Sequence, residues 1–439
     1  ITINLAPADL PKEGGRYDLA IALGILAASG QVPAEALDHS EFIGELALSG
    51  KLQPVSGVLP TALQSGRAQR RLIVPTGSAS EAALSRDSEC LAADSLIQVT
   101  AWLHGQEKLL EIDSSVEMPS QSDCRLDLAD VTGQMHARRA LEIAAAGQHN
   151  LLFIGPPGTG KTMLASRLGG ILPPMSEQEA IVSASIASIS HHSGDWRKRW
   201  GQRPFRAPHH TASGVALVGG GGNPKPGEIS LAHGGVLFLD ELPEFSRRVL
   251  DVLREPLESG EIVISRANRS VTFPARFQLI AAMNPCPCGY FGDPSGRCQC
   301  SPEVIRRYQG QTSGPLLDRI DLHVDVPPVS PALLQKAPPS ENSATVQARV
   351  VAARSRQLNR QGCANGALAG KKRDKYCAIS DHDQQWLLAT LEQLNLSARS
   401  YHRLLTVART IADLNDHPNL LRAHLLEALG LRSLDRMQK

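Results

Sequence analysis

Residues 155–162 read GPPGTGKT directly after the apolar run 151–154, and this segment constrains the fold more than any other part of the chain. It fits the pattern G-x-x-x-x-G-K-[ST] in full, which predicts a strand, a glycine-rich loop and a helix whose backbone N–H groups face phosphate oxygens. Lys161 is expected to reach the β and γ phosphates, and Thr162 the magnesium ion. A plain glycine-rich turn is the alternative. We expect a nucleoside triphosphate to bind along the whole loop, at Gly155, Pro156, Pro157, Gly158, Thr159, Gly160, Lys161 and Thr162.

A second apolar run, 236–239, ends in an acidic pair. Asp240 would hold the hydrated magnesium ion, and Glu241 would orient or deprotonate the attacking water. An acidic pair after a strand is often only a solvated strand end. The interpretation as a hydrolytic pair therefore depends on the phosphate-binding loop upstream.

A third apolar stretch, 277–283, ends at Asn284. Strands predicted near residues 151, 236 and 277 alternate with helical stretches, which predicts an α/β fold with a parallel sheet flanked by helices. In such a sheet a neighbouring strand would deliver Asn284 to the γ-phosphate. The alternative role for Asn284 is to cap the end of its strand.

In this order, the phosphate-binding loop, the acidic pair and the asparagine strand resemble the AAA+ P-loop ATPases. The resemblance implies that Asn284 is sensor 1 and that Arg319, in SGPLLDRIDLHV, is an arginine finger for the neighbouring subunit's nucleotide. It also implies that Arg399, in LSARSYHRLLTVA, is sensor 2 on a C-terminal helical lid. The structural alternative is that Arg319 pairs with Asp318 or Asp321 on the surface. Arg399 could likewise have a purely structural role on the surface.

Three longer stretches, 203–241, 260–290 and 316–327, resemble the magnesium chelatase-like AAA+ proteins, in the branch formed by the ComM/YifB family. The resemblance covers nearly the whole chain. It implies a hexameric ring that uses ATP and Mg²⁺ for DNA helicase and branch-migration activity in natural transformation and recombination. A magnesium chelatase-type ATPase that remodels a protein partner is the alternative function.

Two segments carry basic residues where a DNA motor would need them. Residues 261–273 alternate apolar and polar side chains, which predicts a β-hairpin with Arg266 and Arg269 near its tip. Residues 218–227 contain four consecutive glycines before Lys225 and predict a mobile loop or hairpin tip. Such tips would grip phosphates without reading sequence, although both could instead be solvated turns used in ring assembly.

The chain as a whole is nearly neutral, and one further basic segment has two possible roles. The 45 lysines and arginines against 44 acidic residues give a net charge of +1, so DNA binding would have to come from local patches. Residues 347–376 contain eight basic residues against one acidic residue. We expect a helix that ends near Gln361 and then a flexible basic loop, which is either a nucleic-acid footprint or a solubilising linker.

Four of the eight cysteines fall within one short, turn-rich segment with the pattern CPC-x₉-CQC. Paired cysteines on two arms suit a tetrahedral zinc ion. Disulfides are the rival explanation, but they rarely persist in the reducing cytosol where a nucleotide-driven enzyme works. We therefore predict a structural zinc site, with unliganded thiols as the remaining alternative, at Cys286, Cys288, Cys298 and Cys300.

The first hundred residues predict a separate α+β domain. The chain opens on an apparent strand rather than on methionine, so we expect it to begin inside this domain. The segment resembles the Lon protease-type fold, whose members use a Ser-Lys pair. Here Arg16 takes the expected place of the serine, and residues 55–63 contain no lysine. We therefore expect no proteolysis, and a role as a collar or a platform.

The length of 439 residues allows about three domains. We predict an N-terminal domain at 1–112, an AAA+ nucleotide-binding domain at 125–330 and a helical lid at 345–439, with joins at 114–122 and 327–340. No apolar run approaches the roughly 18 residues of a membrane span. We expect a cytoplasmic homo-oligomer whose partners are DNA and recombination proteins rather than a membrane.

Overall fold

A computed structural model describes residues 14–113, 126–190, 196–221, 224–266, 269–293, 296–329, 340–394 and 397–432. The apparent strand at the start of the chain and the predicted join at 114–122 lie outside the described residues. The predicted join at 327–340 is described only at its two ends. Within the described ranges, no helix has both the length and the apolar character needed to cross a membrane.

The strands are β1 Ser40–Phe42, β2 Glu45–Leu46, β3 Leu52–Gln53, β4 Arg71–Pro75, β5 Cys90–Ala93, β6 Leu110–Glu111, β7 Leu151–Ile154, β8 Phe205–Arg206, β9 Gly219–Gly220, β10 Lys225–Pro226, β11 Val236–Leu239, β12 Glu261–Arg266, β13 Arg269–Pro274, β14 Gln278–Met283 and β15 Leu322–Asp325. Short 3₁₀ helices occur at Gly15–Tyr17, Ala34–Leu37, Thr76–Ser78, Leu128–Asp130, Leu168–Gly170, Trp196–Arg199, Leu242–Glu244 and Asn365–Ala367.

The α-helices are α1 Asp18–Ala28, α2 Val58–Arg67, α3 Ala79–Ala82, α4 Leu96–Leu103, α5 Met135–Gly147, α6 Lys161–Arg167, α7 Glu177–Ser188, α8 Gly214–Val218, α9 Glu228–Leu231, α10 Arg247–Val252, α11 Arg254–Ser259, α12 Pro302–Gln309, α13 Gly314–Leu317, α14 Ser343–Gln361, α15 Gly370–Tyr376, α16 Asp381–Gln393, α17 Ala398–Leu414 and α18 Arg422–Gly430.

The central sheet has the strand order β15-β7-β14-β11-β8, and every neighbouring pair is parallel. Strands β7 and β11 are buried along their whole length, as expected for short apolar strands covered on both faces. Because the strands are parallel, the segments that follow β7, β11 and β14 meet at one edge of the sheet. The predicted α/β fold with a parallel sheet flanked by helices is therefore confirmed.

Alternate residues of the sheet enter two different hydrophobic clusters, as the pleat of a strand requires. Leu151 and Phe153 pack with helices α5, α6 and the C-terminal helices on one face. Leu152 and Ile154 pack on the other face, in a cluster that also contains residues of α9, α10 and the β12–β13 hairpin. This second face anchors the hairpin to the sheet.

The C-terminal helices α14 to α18 lie on the same sheet face as α5. Their buried residues, such as Val350 and Ile411, belong to the cluster that contains the sheet residues Leu151 and Phe153. A backbone hydrogen bond from His323 N to the Leu431 carbonyl oxygen, at 2.7 Å, ties the end of α18 to strand β15. The nucleotide-binding segment and the lid therefore share one hydrophobic cluster.

The N-terminal segment forms its own mixed sheet with the order β1-β4-β5-β6, in which only the β5–β6 pair is antiparallel. Its helix α2 packs against α7 of the nucleotide-binding segment. Leu59 from α2 and Ala184 from α7 join Trp200 in a buried cluster, and Trp196 packs against its margin. The two segments are therefore in direct apolar contact.

The basic stretch at 347–376 is not a flexible loop. Helix α14 ends at Gln361, as predicted, but Gly370–Tyr376 forms the further helix α15 instead of a loop. Several of the arginines have partners within the chain: Arg360 donates two hydrogen bonds to buried Asp413, at 2.6 and 2.9 Å. Arg354 donates to two backbone carbonyl oxygens of α5. These arginines stabilise the lid, and the loop prediction was wrong.

Candidate functional site

The glycine-rich loop joins β7 to α6, as the sequence predicts. Gly158 and Gly160 have φ angles of 79° and 90°, in the left-handed region that favours glycine. Lys161 is the first residue of α6 and is only 8% exposed. Its Nζ donates hydrogen bonds to the carbonyl oxygens of Gly155 and Pro156, at 2.6 and 2.8 Å. When a nucleotide binds, Lys161 could exchange these two hydrogen bonds for hydrogen bonds to phosphate oxygens.

Burial lowers the pKa of Lys161, and the nearby charges of Asp240 and Glu241 act in the opposite direction. A buried ammonium ion lacks water and needs anionic or carbonyl partners. A triphosphate would supply stronger acceptors than the two backbone carbonyl groups do. The buried ammonium group of Lys161 therefore favours binding of an anion at the loop.

Thr162 and Asp240 face each other beside the loop. Thr162 Oγ1 donates a hydrogen bond of 2.6 Å to Asp240 Oδ2. A hydroxyl and a carboxylate oxygen are ligands that suit Mg²⁺, which usually keeps several of its own waters. The two residues fit the predicted magnesium site.

Glu241 has an unusual backbone, with φ of 53° in the left-handed region. Its N–H donates to Asp240 Oδ1 at 2.9 Å, which helps to hold this conformation. A non-glycine residue in such a conformation stores about 1–3 kcal/mol of strain, and such strain is concentrated at functional sites. The Glu241 side chain is 53% exposed.

His210 contacts Glu241 and was not predicted from the sequence. Its Nδ1 lies 3.1 Å from Glu241 Oε2. The ring also lies 4.1 Å from the His209 ring, centroid to centroid, and meets Phe245 edge-on at 6.5 Å. The only signal in the sequence is a pair of consecutive histidines shortly after strand β8.

Asn284 follows β14, which pairs directly with β7. Its Oδ1 accepts a hydrogen bond of 3.1 Å from Lys161 Nζ, so the structure brings Asn284 to the phosphate-binding loop. On its other side, Tyr308 of α12 is buried, and burial raises the pKa of its phenol to about 12. The backbone of Asn284 acts in the opposite direction and lowers this pKa, but by less than burial raises it.

Arg319 lies at the opposite edge of the sheet from the phosphate-binding loop. Its carbonyl oxygen accepts a hydrogen bond of 2.9 Å from the side chain of Asn150, which precedes β7. Its guanidinium donates to Glu258 of α11 and to the Pro315 carbonyl oxygen, and only 7% of the residue is exposed. The partner is therefore Glu258, not Asp318 or Asp321, and Arg319 is not beside its own chain's loop.

Arg399 is also at the opposite edge. Its side chain is 63% exposed, and its guanidinium lies 4.0 Å from Asp318, which precedes β15. Because Leu322 of β15 pairs with Leu151 of β7, Asp318 belongs to the amino-terminal side of the strands. Arg399 is therefore not beside its own chain's phosphate-binding loop.

The predicted DNA-binding segments form two antiparallel hairpins. Strands β12 and β13 pair until Arg266 stands opposite Arg269 at the tip, and Lys225 of β10 pairs with Gly220 of β9. A Cβ added at Gly219 would lie 3.0 Å from Ile264 Cδ1 of β12. The two hairpins are therefore packed side by side.

The four clustered cysteines converge in space. Their Sγ atoms all lie within 4.8 Å of one another, and Cys286 is completely buried. The thiols are free, and the Sγ atoms of Cys286 and Cys288 are 3.3 Å apart, far longer than the roughly 2.05 Å of a disulfide. The arrangement suits one tetrahedral metal ion and excludes disulfides in this conformation.

Arg16 occupies the N-terminal position where a Lon-type protease would carry its serine. Its guanidinium donates a hydrogen bond of 3.2 Å to Thr61 Oγ1 of α2. The segments around these two residues meet as a Ser-Lys pair would require, but they supply an arginine and a threonine. This pair contains neither the nucleophile nor the lysine base of that mechanism.

Comparison with known proteins identifies the family. Residues 127–334 match the family described as "Magnesium chelatase, subunit ChlI", and residues 340–432 match "Magnesium chelatase, subunit ChlI C-terminal". Residues 1–78 match "Subunit ChlI of Mg-chelatase".

Full-length relatives agree with these matches. The chain is 53% identical to Competence protein ComM of Haemophilus influenzae over 441 residues, which is 100% of this chain and 86% of the relative. It is 54% identical to YifB of Salmonella typhimurium and 51% identical to YifB of Escherichia coli, each over 100% of this chain and 86% of the relative. The chain therefore belongs to the ComM/YifB family of magnesium chelatase-like AAA+ proteins.

Proposed function

We propose that this protein is a ring-forming ATPase that moves DNA, acting as a helicase and branch-migration motor. The observation that carries the proposal is the convergence of one nucleotide site at the carboxyl edge of the sheet, built by Lys161, Thr162, Asp240, Glu241 and Asn284. The similarity to Competence protein ComM suggests natural transformation and recombination in the cytoplasm as the setting.

In the proposed reaction, the ATP phosphates replace the carbonyl groups that now accept hydrogen bonds from Lys161. Thr162 and Asp240 would hold Mg²⁺, which would supply positive charge to neutralise the phosphate oxygens. Glu241 accepts a proton from the water that attacks the γ-phosphorus, while the bond to the β-phosphate oxygen breaks. Asn284, next to Lys161, orients the γ-phosphate.

The position of the two arginines supports a ring. Arg319 and Arg399 lie at the edge of the sheet opposite their own phosphate-binding loop. If that edge faces the loop of the next subunit, both arginines can serve the neighbour's nucleotide, and only a closed ring, which we propose to be a hexamer, completes every site. Arg319 must first leave Glu258.

The paired hairpins are the proposed DNA contacts. Their tips carry Arg266, Arg269 and Lys225, and one hairpin touches the other through Ile264 and Gly219. A movement of one hairpin would therefore be transmitted to the other. Contacts with phosphates would explain how a protein with a net charge of +1 binds DNA.

The four converging cysteines are proposed to hold a structural zinc ion as a second metal. Thiolate ligands in a tetrahedral arrangement favour Zn²⁺ over Mg²⁺, which prefers oxygen ligands. The proposed cofactors are thus ATP with Mg²⁺ at one site and Zn²⁺ at another.

The test is steady-state ATP hydrolysis with and without single-stranded and four-way-branched DNA, using the Glu241→Gln variant as the control. We expect DNA to stimulate hydrolysis and the variant to bind ATP without turning it over. DNA-indifferent hydrolysis would instead favour a remodelling ATPase that acts on a protein partner. Normal turnover by the variant would exclude Glu241 as the base.

A further inference from the structure

The cysteine quartet, Cys286, Cys288, Cys298 and Cys300, lies directly against the nucleotide site. Only Pro285 separates Cys286 from Asn284, whose side chain contacts Lys161. Within the quartet's loop, a Cβ added at Gly289 would lie 2.6 Å from Pro157 Cδ and 3.8 Å from Asn284 Cγ. The loop therefore touches the phosphate-binding loop and the adjacent asparagine.

The spacing of the thiols matches a metal centre. The Sγ–Sγ distances are 3.3 Å for Cys286–Cys288, 3.8 Å for Cys286–Cys298 and 3.6 Å for Cys288–Cys298. A tetrahedral zinc ion with Zn–S bonds of about 2.3 Å separates its sulfur ligands by about 3.8 Å. In addition, the Phe291 N–H donates to Cys286 Sγ at 3.3 Å, the kind of contact that orients a thiolate ligand.

The described part of the loop from Pro285 to Ser301 is held by local contacts, among them an Asp293–Arg297 ion pair at 3.7 Å and the Arg297 guanidinium 4.5 Å from the Tyr290 ring centroid. Residues 285–293 and 296–301 contain no helix or strand. The Gln309 side chain donates to the Pro285 carbonyl oxygen at 3.0 Å, and this contact fixes only the start of the loop. A metal held by all four cysteines would add a cross-link between the two arms, because metal binding supplies folding free energy to small loops.

We infer that a zinc ion held by the cysteine quartet sets the position of the phosphate-binding loop, so that nucleotide affinity and ATP turnover depend on metal occupancy. With the metal bound, Gly289 packs on Pro157 and Asn284 stays beside Lys161. Without it, the loop loses its cross-link, and both contacts relax. The inference rests on the proposed ATPase activity but concerns its regulation by a second metal.

Two glycines of the loop provide a matched test. Gly289 and Gly292 have similar left-handed φ angles, 84° and 79°, so alanine strains the backbone about equally at both. Only the Gly289 Cβ would meet the phosphate-binding loop, because a Cβ at Gly292 has nothing within 4 Å. We expect Gly289→Ala to keep its zinc but to lose at least about tenfold in turnover, which is about 1.4 kcal/mol. Gly292→Ala should retain both its zinc and its turnover.

The metal itself is tested on the full chain. Elemental analysis should give one zinc per chain, reduced in Cys298→Ser and unchanged in Cys363→Ser, a cysteine outside the quartet. Affinity for a fluorescent ATP analogue should fall after chelation and recover with ZnCl₂. No bound zinc, unchanged nucleotide affinity after zinc removal, or equal turnover in the two glycine variants would overturn the inference. Loss of DNA stimulation alone would remove the proposed motor function, since affinity and zinc content are measured separately.

Discussion

The proposed catalytic base, Glu241, has an unusual local geometry. Glu241 combines a left-handed backbone with a side chain that is 53% exposed, and His210 is the side chain that contacts its carboxylate. An exposed carboxylate without such a contact would sample many rotamers. We therefore regard His210 as a positioning residue that holds Glu241 where the attacking water must lie.

Replacing His210 should slow hydrolysis without affecting nucleotide binding. A hydrogen bond to a charged group contributes about 1.5 kcal/mol, so we expect His210→Ala to reduce kcat roughly tenfold while the ATP affinity is unchanged. His209→Ala is the comparison variant: it removes the ring that packs on His210 at 4.1 Å and the contact with Thr211 at 2.9 Å, but no group that contacts Glu241. Equal kcat values in the two variants would exclude positioning by His210.

Asp321 connects the sheet to the lid and should make stability dependent on pH. Burial opposes its ionisation, but the Arg403 guanidinium of α17 and the His149 side chain outweigh burial and hold the pKa of this carboxyl well below its usual range. Because the folded pKa is lowered, the stabilisation is present above the unfolded pKa of about 3.9 and is lost as the pH falls through the folded value.

The corresponding variant is Asp321→Asn. Breaking one side of a buried ion pair costs about 3 kcal/mol, so the urea midpoint at neutral pH should fall clearly. The stability of the variant should also decline less steeply in acid than that of the wild type. Parallel acid dependence in both proteins would show that Asp321 is not the group responsible.

At the scale of elements, the proposed DNA motor depends on the β12–β13 hairpin. Its register places Arg266 opposite Arg269, so two positive charges share one tip. The body of the hairpin is fixed to the sheet through buried Ile262, Ile264 and Phe273. Because the base of the hairpin is anchored to the sheet, its basic tip is suited to moving with the sheet when the bound nucleotide changes.

Removing both tip arginines should weaken DNA binding in a salt-dependent way. The slope of log affinity against log salt should decrease by about 2 for two lost phosphate contacts. The matched control, Arg70→Ala with Arg71→Ala, removes the same charge from surface ion pairs with Glu41 and Glu89. If both double variants bind DNA like the wild type, the hairpin serves assembly only.

The elements around the nucleotide were predictable because each motif lies within one strand, loop and helix. The contact between Lys161 and Asn284 follows from parallel strands that place their carboxyl ends together. His210 and Glu258 could not be predicted, because their contacts join common residue types far apart in the chain. Helix α15 was missed because its glycine suggested a loop, although lysine and arginine are good helix formers.

At the scale of the whole molecule, the two edges of the sheet carry different parts of the proposed hydrolytic site. The phosphate-binding loop lies at the carboxyl edge, whereas Arg319 and Arg399 lie toward the amino edge. One chain therefore does not bring these arginines to its own nucleotide. In the proposed ring, complete hydrolytic sites would form between subunits.

Mixed rings test this division of labour. Arg319→Ala and Glu241→Gln should each be inactive, since an arginine finger contributes about 10³ to 10⁵ in rate. Mixed at equal amounts, they should regain part of the activity, because about one interface in four would combine an intact base with an intact finger. Glu258→Gln controls for the loss of the Arg319 ion pair and should remain active. No recovery in the mixture would argue against Arg319 as a finger.

The apolar cluster between α2 and α7 has a practical consequence. Trp200 is buried there, and Trp196 packs against it. If ATP turnover lifted the N-terminal segment from α7, these indole rings would become hydrated and their fluorescence emission would move to longer wavelengths. The protein thus contains its own optical reporter of this contact, which could be followed during turnover without any attached dye.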